Sequence, residues 1–336
     1  MARARFGWTI AIAAAVAGLV GGGAGAQQYT MKVATAGADD GQHEWALRFA
    51  ERVNRGAGGR IAAQVFPASR LGSIPRMIEG VQLGTVECFV GAPEFYVGVD
   101  PRFQVLAAPG VFADGAHAVR TLGDPAFRGP FLAIGEAKGI AGIGLAYLGE
   151  TGIVFERPVR TLDDFKGRKV RVFASPMQTK AMKVLGAAGV PLPLNEVLPA
   201  LRDGQIDGAF AGAGVFVPFG YYTAARYWTE TNGAPMTALM TVGRDWLAGL
   251  PPELQAVVRE SAAAAEGDVE AWSHALAGRA RTAWTAAGGE VVRLSDADRA
   301  ELMRRWSGVA ELVLAEKPAI RDMYGLMIRT AQARLM

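Results

Sequence analysis

Polar and apolar residues alternate over residues 29–35, the period-two pattern of a strand, before a turn-rich break at 37–41. Trp45, Phe49 and Val53 then recur every four residues, which gives a helix one apolar stripe, and Gly56 stops it. A strand at 61–66 ended by Pro67, a helix at 75–83 and a strand at 86–90 complete the order β-α-β-α-β. A second series reads as strands at 139–147 and 169–173 with helices at 176–187 and 196–202. Alternation of this kind predicts α/β layers with largely parallel sheets. Beyond Pro251-Pro252 the texture changes. Residues 253–287 are rich in alanine and charge, contain no proline, and run to Gly288-Gly289 with only Gly267 and Gly278 inside, as a long helix would. Stretches at 296–314 and 318–335 are also helical, with no obvious strand after them, and predict a C-terminal helical layer laid on the rest.

Two short segments resemble each other. Leu83-Gly84-Thr85-Val86-Glu87 and Asp203-Gly204-Gln205-Ile206-Asp207 both place a helix end, a glycine, one spacer, an aliphatic and an acid in that order. Each fits the same helix-to-strand corner in one of two similar lobes, or two unrelated glycine-capped helices. Gly139, Gly142 and Gly144 lie beside a strand without the strand-turn-helix continuation of a dinucleotide loop, and read as close packing.

The first residues fall into three zones. Arg3 and Arg5 are positive, residues 8–20 are almost wholly apolar, and Ala24-Gly25-Ala26 offers a small-residue cleavage site. This is the pattern of a secretory signal peptide over 1–26, cleaved before Gln27; the apolar stretch is shorter than the ~20 residues of a spanning helix. No later stretch approaches a spanning run, so the mature chain is expected in the periplasm and not embedded in the membrane. Removing 26 of 336 residues leaves 310, about right for two lobes. Lys plus Arg number 35 and Asp plus Glu 32, and with Arg3 and Arg5 in the leader the mature chain carries one excess positive charge. Nucleic acid, which needs a concentrated basic face, is not an expected partner. Cys88 is the only cysteine, in an apolar run that reads as a buried strand, so no disulfide forms within the chain.

Catalytic chemistry is sparse. His43, His117 and His274 show no metal-ligand spacing, no serine sits in a G-x-S-x-G elbow, and there is no phosphate loop. His43 reads as a solvated or capping side chain. Binding chemistry is better represented at residues 161–173, where Thr161 caps a short turn, Gly167 reverses the chain, and a strand puts Lys169, Arg171 and Phe173 on one side with Val170 and Val172 on the other. If that strand ends at a crevice, Arg171 offers a planar donor fork to a carboxylate. The spacing alone favours a basic strand edge facing water.

Several runs in series resemble the DctP-type solute-binding proteins of tripartite ATP-independent periplasmic (TRAP) transporters. They are Phe165-Lys166-Gly167-Arg168-Lys169-Val170-Arg171, the 186–193 stretch, and residues 195–208 from Asn195-Glu196 to Asp207-Gly208. Phe49-Ala50-Glu51-Arg52-Val53, Gly59-Arg60-Ile61, residues 66–72, residues 80–84, residues 219–227 and Leu250-Pro251-Pro252-Glu253 follow in the family's order, so the likeness covers nearly the whole mature chain. The resemblance implies a periplasmic-binding-protein-like α/β fold: two α/β lobes with a cleft, at 27–149 and 150–250, and a long bridging helix and C-terminal helices at 251–336. It implies closure on a small organic acid and delivery to separate TRAP permease subunits. It places the carboxylate clamp on Arg171, a hydrophobic pocket wall on Leu194, and ligand-facing turns on Thr35 and on residues 91–94, with Glu94. Glu196 and Asp207 take structural roles.

Departures from sialic-acid-type members matter. Their second arginine falls near Thr151, and their glutamate and asparagine become Phe210 and Ala211. The pocket is then less polar, which favours a monocarboxylate with an apolar or aromatic body, with Phe210, Phe216 and Tyr221 as apolar surface or as core. If Glu94 and Glu150 both face the cleft, the ligand carries an amino or hydroxyl group. No cofactor is called for; calcium or sodium beside the ligand, which some members need, is neither demanded nor excluded. The competing readings are an exported α/β enzyme using Glu94, Glu150 or His43 as acid or base, and a binding subunit of an ABC importer or sensor.

Overall fold

The computed structural model describes residues 28–335, so the proposed leader lies outside the described residues. Ten strands form one hydrogen-bonded network: β1 (Tyr29–Thr35), β2 (Ile61–Phe66), β3 (Cys88–Gly91), β4 (Ile140–Phe155), β5 (Lys169–Val172), β6 (Ala188–Pro191), β7 (Gly208–Gly212), β8 (Tyr227–Glu230), β9 (Pro235–Gly243) and β10 (Glu290–Arg293). The helices that cover them are α1 (Gly41–Gly56), α2 (Ile74–Leu83), α3 (Gly115–Leu122), α4 (Pro125–Leu132), α5 (Pro176–Lys183), α6 (Val197–Arg202), α7 (Ala213–Phe216), α8 (Arg244–Ala248), α9 (Pro252–Ala286), α10 (Asp296–Ser307), α11 (Val309–Glu316) and α12 (Arg321–Ala333).

The network divides into two half-sheets of one topology. In the first, β1 lies between β2 and β3, all parallel, and β9 runs antiparallel beside β3. In the second, β5 lies between β6 and β7, all parallel, and β4 runs antiparallel beside β7. β4 belongs to both: its residues from Ile140 to Glu150 pair with β9, and those from Thr151 to Phe155 pair with β7 and β8. β9 pairs with β3 on one side and with β4 on the other. Its nine residues are all buried and show no alternation, which is why periodicity does not find it.

The two glycine corners are one device used twice. Gly84 and Gly204 both have φ near +70°, a left-handed conformation open to glycine. The two following amides donate to the Gly80 carbonyl in the first case and to the Ala200 carbonyl in the second. Each corner then delivers an acid to the neighbouring strand: Glu87 accepts from the Lys32 amide at 2.7 Å, and Asp207 from the Lys169 amide at 2.6 Å. With Lys32 equivalent to Lys169, Ala34 paired to Phe89 holds the place that Arg171 paired to Ala209 holds in the second half.

Asp40 caps α1 by accepting from the His43 amide, while His43 Nδ1 accepts from the Asp39 amide, so this histidine is part of the cap. Trp45, Phe49 and Val53 form the buried stripe of α1. α9 runs unbroken through Gly267 and Gly278 for 35 residues, roughly 50 Å at the helical rise. Its first half buries Leu254, Val258 and Ala262 in the core of the first half-sheet, and Trp284 near its end lies in the core of the second. The helical stretch beginning at Asp296 breaks at Gly308 into α10 and α11. Trp306 of α10 donates to the Ala181 carbonyl of α5, and His117 of α3 bonds the Ala331 carbonyl of α12 through Nε2. Since His117 Nδ1 accepts from the Ala113 amide, the ring is the Nε2–H tautomer. Cys88 is fully buried in β3, and desolvation pushes its thiol up.

Gly142 and Gly144 permit close packing on β4. A Cβ at Gly142 would fall 2.6 Å from the Leu132 carbonyl oxygen, and one at Gly144 2.6 Å from the Trp45 ring. Gly142→Ala is expected to destabilise the protein by about 1–3 kcal/mol, because the obstacle is α4 backbone that cannot step aside. Thermal or urea unfolding checks this, and an unchanged midpoint would refute it.

Candidate functional site

Ligands of open α/β sheets bind beyond the carboxyl ends of the strands, where connections leave in opposite directions. Each half-sheet has such a point, at β1 flanked by β2 and β3 and at β5 flanked by β6 and β7. Arg171 stands at the second, in the central strand, with no exposed surface. Its Nε donates to the Leu192 carbonyl just after β6 at 3.1 Å, and its Nη1 to the Phe210 carbonyl of β7 at 3.1 Å. The guanidinium carbon lies 4.7 Å from the centre of the Phe173 ring, a cation–π contact. Two carbonyls and a ring therefore fix the fork. Nη2 is buried without a hydrogen-bond partner, and among the described residues no carboxylate lies within ion-pair distance of the group. Desolvation brings the side chain down to about 10, so it stays protonated at neutral pH. A strand edge facing water is thus excluded.

Phe173 also links the halves. Its ring centre is 5.3 Å from that of Phe95, in the turn after β3, and 5.7 Å from that of Phe210. Beside them a cavity of about 130 Å³ is lined by Ile74, Pro75 and Phe95 from one side and by Ala174, Leu192 and Pro193 from the other. Its walls are apolar. Further contacts join the halves: the Met177 amide donates to Gln104 Oε1 at 3.3 Å, and the Phe219 ring lies against Gly37, where a Cβ would come within 3.0 Å of it.

The other predicted residues are distributed unevenly. Thr35 ends β1, is fully buried, and its hydroxyl donates to the Gly37 carbonyl at 2.8 Å, so it holds its own turn. Glu94 sits in the 3₁₀ turn Pro93–Tyr96 next to Phe95, 3% exposed, with Oε2 lacking a partner. Burial pushes its carboxyl up to about 7. Leu194 is half-buried and packs on both the inter-half core and the second-half core. Phe210 reaches the Phe173 ring, and Ala211 is buried on β7. Phe216 is enclosed by Tyr221, Trp228 and Trp284 inside the second core. Glu150 is not brought together with Glu94. It lies at the β4 bulge beside Gly149, accepts from the Tyr147 hydroxyl at 2.8 Å, and lines a cavity of about 140 Å³ with Asp114, Asn232 and Arg299, which none of the Arg171 partners line. Phe95 was the residue that pattern missed. It follows Glu94 directly, but nothing local marks its ring as facing the other half.

Among the described residues, no group of three or more His, Cys, Asp or Glu side chains converges as a metal site would, and no helix is long and apolar enough to cross a membrane. Arg171 is thus a buried, oriented cation at one strand-end crevice. The family model of bacterial extracellular solute-binding proteins, family 7 (DctP), matches residues 33–316, and the chain belongs to this family of transporter solute-binding proteins, which are not enzymes. The 2,3-diketo-L-gulonate-binding periplasmic protein YiaO of Escherichia coli is 31% identical over 224 residues, 66% of this chain and 68% of its own. A TRAP periplasmic solute binding protein from Xanthobacter autotrophicus, solved with bound β-D-galacturonate, is 26% identical with a TM-score of 0.82, covering 89% of this chain and 99% of that one. Another from Desulfovibrio salexigens, solved with bound orotic acid, shares the fold at 23% identity and a TM-score of 0.87, over 91% and 99% of the two chains.

Glu94 provides a pH test. Its carboxyl is raised in the folded state, so the folded protein binds a proton that the unfolded chain has released, and this contribution is present below the ordinary carboxylate range and lost as pH rises through about 7. Ligand-free wild type is expected to lose up to about 3 kcal/mol relative to Glu94→Gln between pH 5 and 8. Parallel pH profiles of the two melting temperatures would refute it.

Proposed function

We propose that the protein captures a small organic acid between two lobes in the periplasm and hands it to the membrane subunits of a TRAP permease. The observation that carries this reading is Arg171: a fully buried guanidinium, oriented by the Leu192 and Phe210 carbonyls, whose Nη2 has no partner and whose charge has no carboxylate to balance it. A buried ion without a counter-charge is costly, and a ligand carboxylate supplies charge and acceptors together. The lobes in this reading meet near residue 150 on β4, with β9 returned to the first, and the residues from 251 onward pack on both. Residues 1–26 act as the export signal.

The ligand we favour is a monocarboxylate with an apolar or flat body. Phe95, Phe173 and Phe210 and the apolar walls beside them support this. The orotic acid bound by the Desulfovibrio salexigens protein joins one carboxylate to a flat ring, and the galacturonate of the Xanthobacter autotrophicus protein joins one to a hydroxylated ring. Closure is a population shift, since a ligand touching both lobes stabilises only the form in which Phe95 meets Phe173.

Titration calorimetry with D-galacturonate, D-glucuronate, orotate and 2,3-diketo-L-gulonate tests the clamp. Arg171→Ala is expected to weaken binding of whichever acid binds wild type by about 100-fold or more, a few kcal/mol, while the variant still folds. Near-normal affinity in that variant would remove the clamp. Native mass spectrometry of freshly purified protein should show a co-purified acid by its mass.

A further inference from the structure

We infer that the Tyr221 hydroxyl is the second donor to the ligand carboxylate, completing a two-donor niche with Arg171 Nη2; this rests on Arg171 being the carboxylate clamp. Two of the three guanidinium nitrogens are already engaged, Nε with Leu192 and Nη1 with Phe210. Nη2 is the one left without a partner, whereas a carboxylate presents two oxygens and binds best when both are met. Arg171 stands beside Ala209 in the β5–β7 register, and Ala209 and Ala211 share a buried cluster with Tyr221. Tyr221 has no exposed surface, and its Oη has no hydrogen-bond partner, which is rare for a buried tyrosine.

The electrostatics agree with this placement. Burial pushes the phenol up to about 12, and the one charge that acts against this is Arg171. The same pairing is seen from the other side, where Tyr221 is the one charged-state partner acting on Arg171. The ring itself is held by Phe216 at 6.3 Å and Phe219 at 6.1 Å between centres, and Phe219 is the ring that lies against Gly37 of the first half. Trp228 Nε1 is also buried without a partner, but it lies against Gly152 of β4. Neighbouring Tyr222 packs edge-on against Trp284 and provides a control.

The test compares wild type, Tyr221→Phe, Tyr222→Phe and Arg171→Ala by calorimetry with D-galacturonate, D-glucuronate, orotate and 2,3-diketo-L-gulonate, and by thermal melting without ligand. Tyr221→Phe removes one oxygen and keeps the ring. It is expected to weaken binding about 10- to 50-fold, as loss of a hydrogen bond to a charged group does, with Tyr222→Phe unchanged. Its ligand-free melting temperature should equal or exceed that of wild type, because the lost hydroxyl was buried and unpaired; a merely structural role would lower it. If wild type binds and Tyr221→Phe binds equally well, the Tyr221 assignment is overturned and the Arg171 clamp stands. If Arg171→Ala also binds as wild type does, or none of the four acids binds wild type, the clamp fails and takes Tyr221 with it. A liganded crystal structure with Tyr221 Oη beyond hydrogen-bond reach of the carboxylate would overturn the assignment directly.

Discussion

A positive charge sealed inside a protein constrains everything around it. Arg171 is held away from water in the centre of a parallel sheet, where an unbalanced ion is expensive, and the surroundings answer with partial charges: two carbonyls and the face of an aromatic ring. These neighbours orient the guanidinium without neutralising it. A full negative charge on a ligand would complete the balance, and because the fork is already aimed, little ordering remains to oppose binding. The first half-sheet shows what the position looks like without a buried charge. Ala34 stands at the equivalent place and packs with Phe89 in an ordinary core.

Repetition of one topology also explains how the halves are joined. Each half uses a parallel trio with an antiparallel neighbour, and the neighbours, β4 and β9, are hydrogen-bonded to each other. The chain passes between the halves along β4, which changes partners between Glu150 and Thr151. The β4 bulge and Gly149, with φ of +113°, lie at this place. α9 and the last three helices then lie across the outside, with Trp306 bound to α5 on one half and α12 bound to α3 on the other.

Legibility varied with how local the physical signal was. The α1 stripe, the β2 strand ending at Pro67 and the glycine corners were readable because helix periodicity, a proline stop and a left-handed glycine act within a few residues. β9 and β10 were not, since a wholly buried strand has no alternation and a four-residue edge strand is defined by its partner β8. Gly308 broke a helix that pattern reads as continuous, while Gly267 and Gly278 did not, because packing on α1 and β4 holds α9 straight where an isolated helix would pay for each glycine. At the site, the strand pattern favoured water over a crevice for Arg171, and the burial was decided by β6 and β7 closing on either side.

What the amino-acid order determined by itself was the kind of pieces: alternating strands and helices, a long alanine-rich helix, a glycine-acid corner used twice, and a strand in which a lysine and an arginine alternate with valines. These follow from backbone preference and side-chain period, which are local. The tertiary structure decided which of those side chains meet. It set Phe95 against Phe173, moved Glu150 to a separate cavity, enclosed Phe216 in a core, and left Arg171 Nη2 and Tyr221 Oη buried without partners. Burial and pairing depend on residues far apart in the chain, and they alone turn a basic side chain from a solvated charge into a buried, oriented cation without a counter-charge.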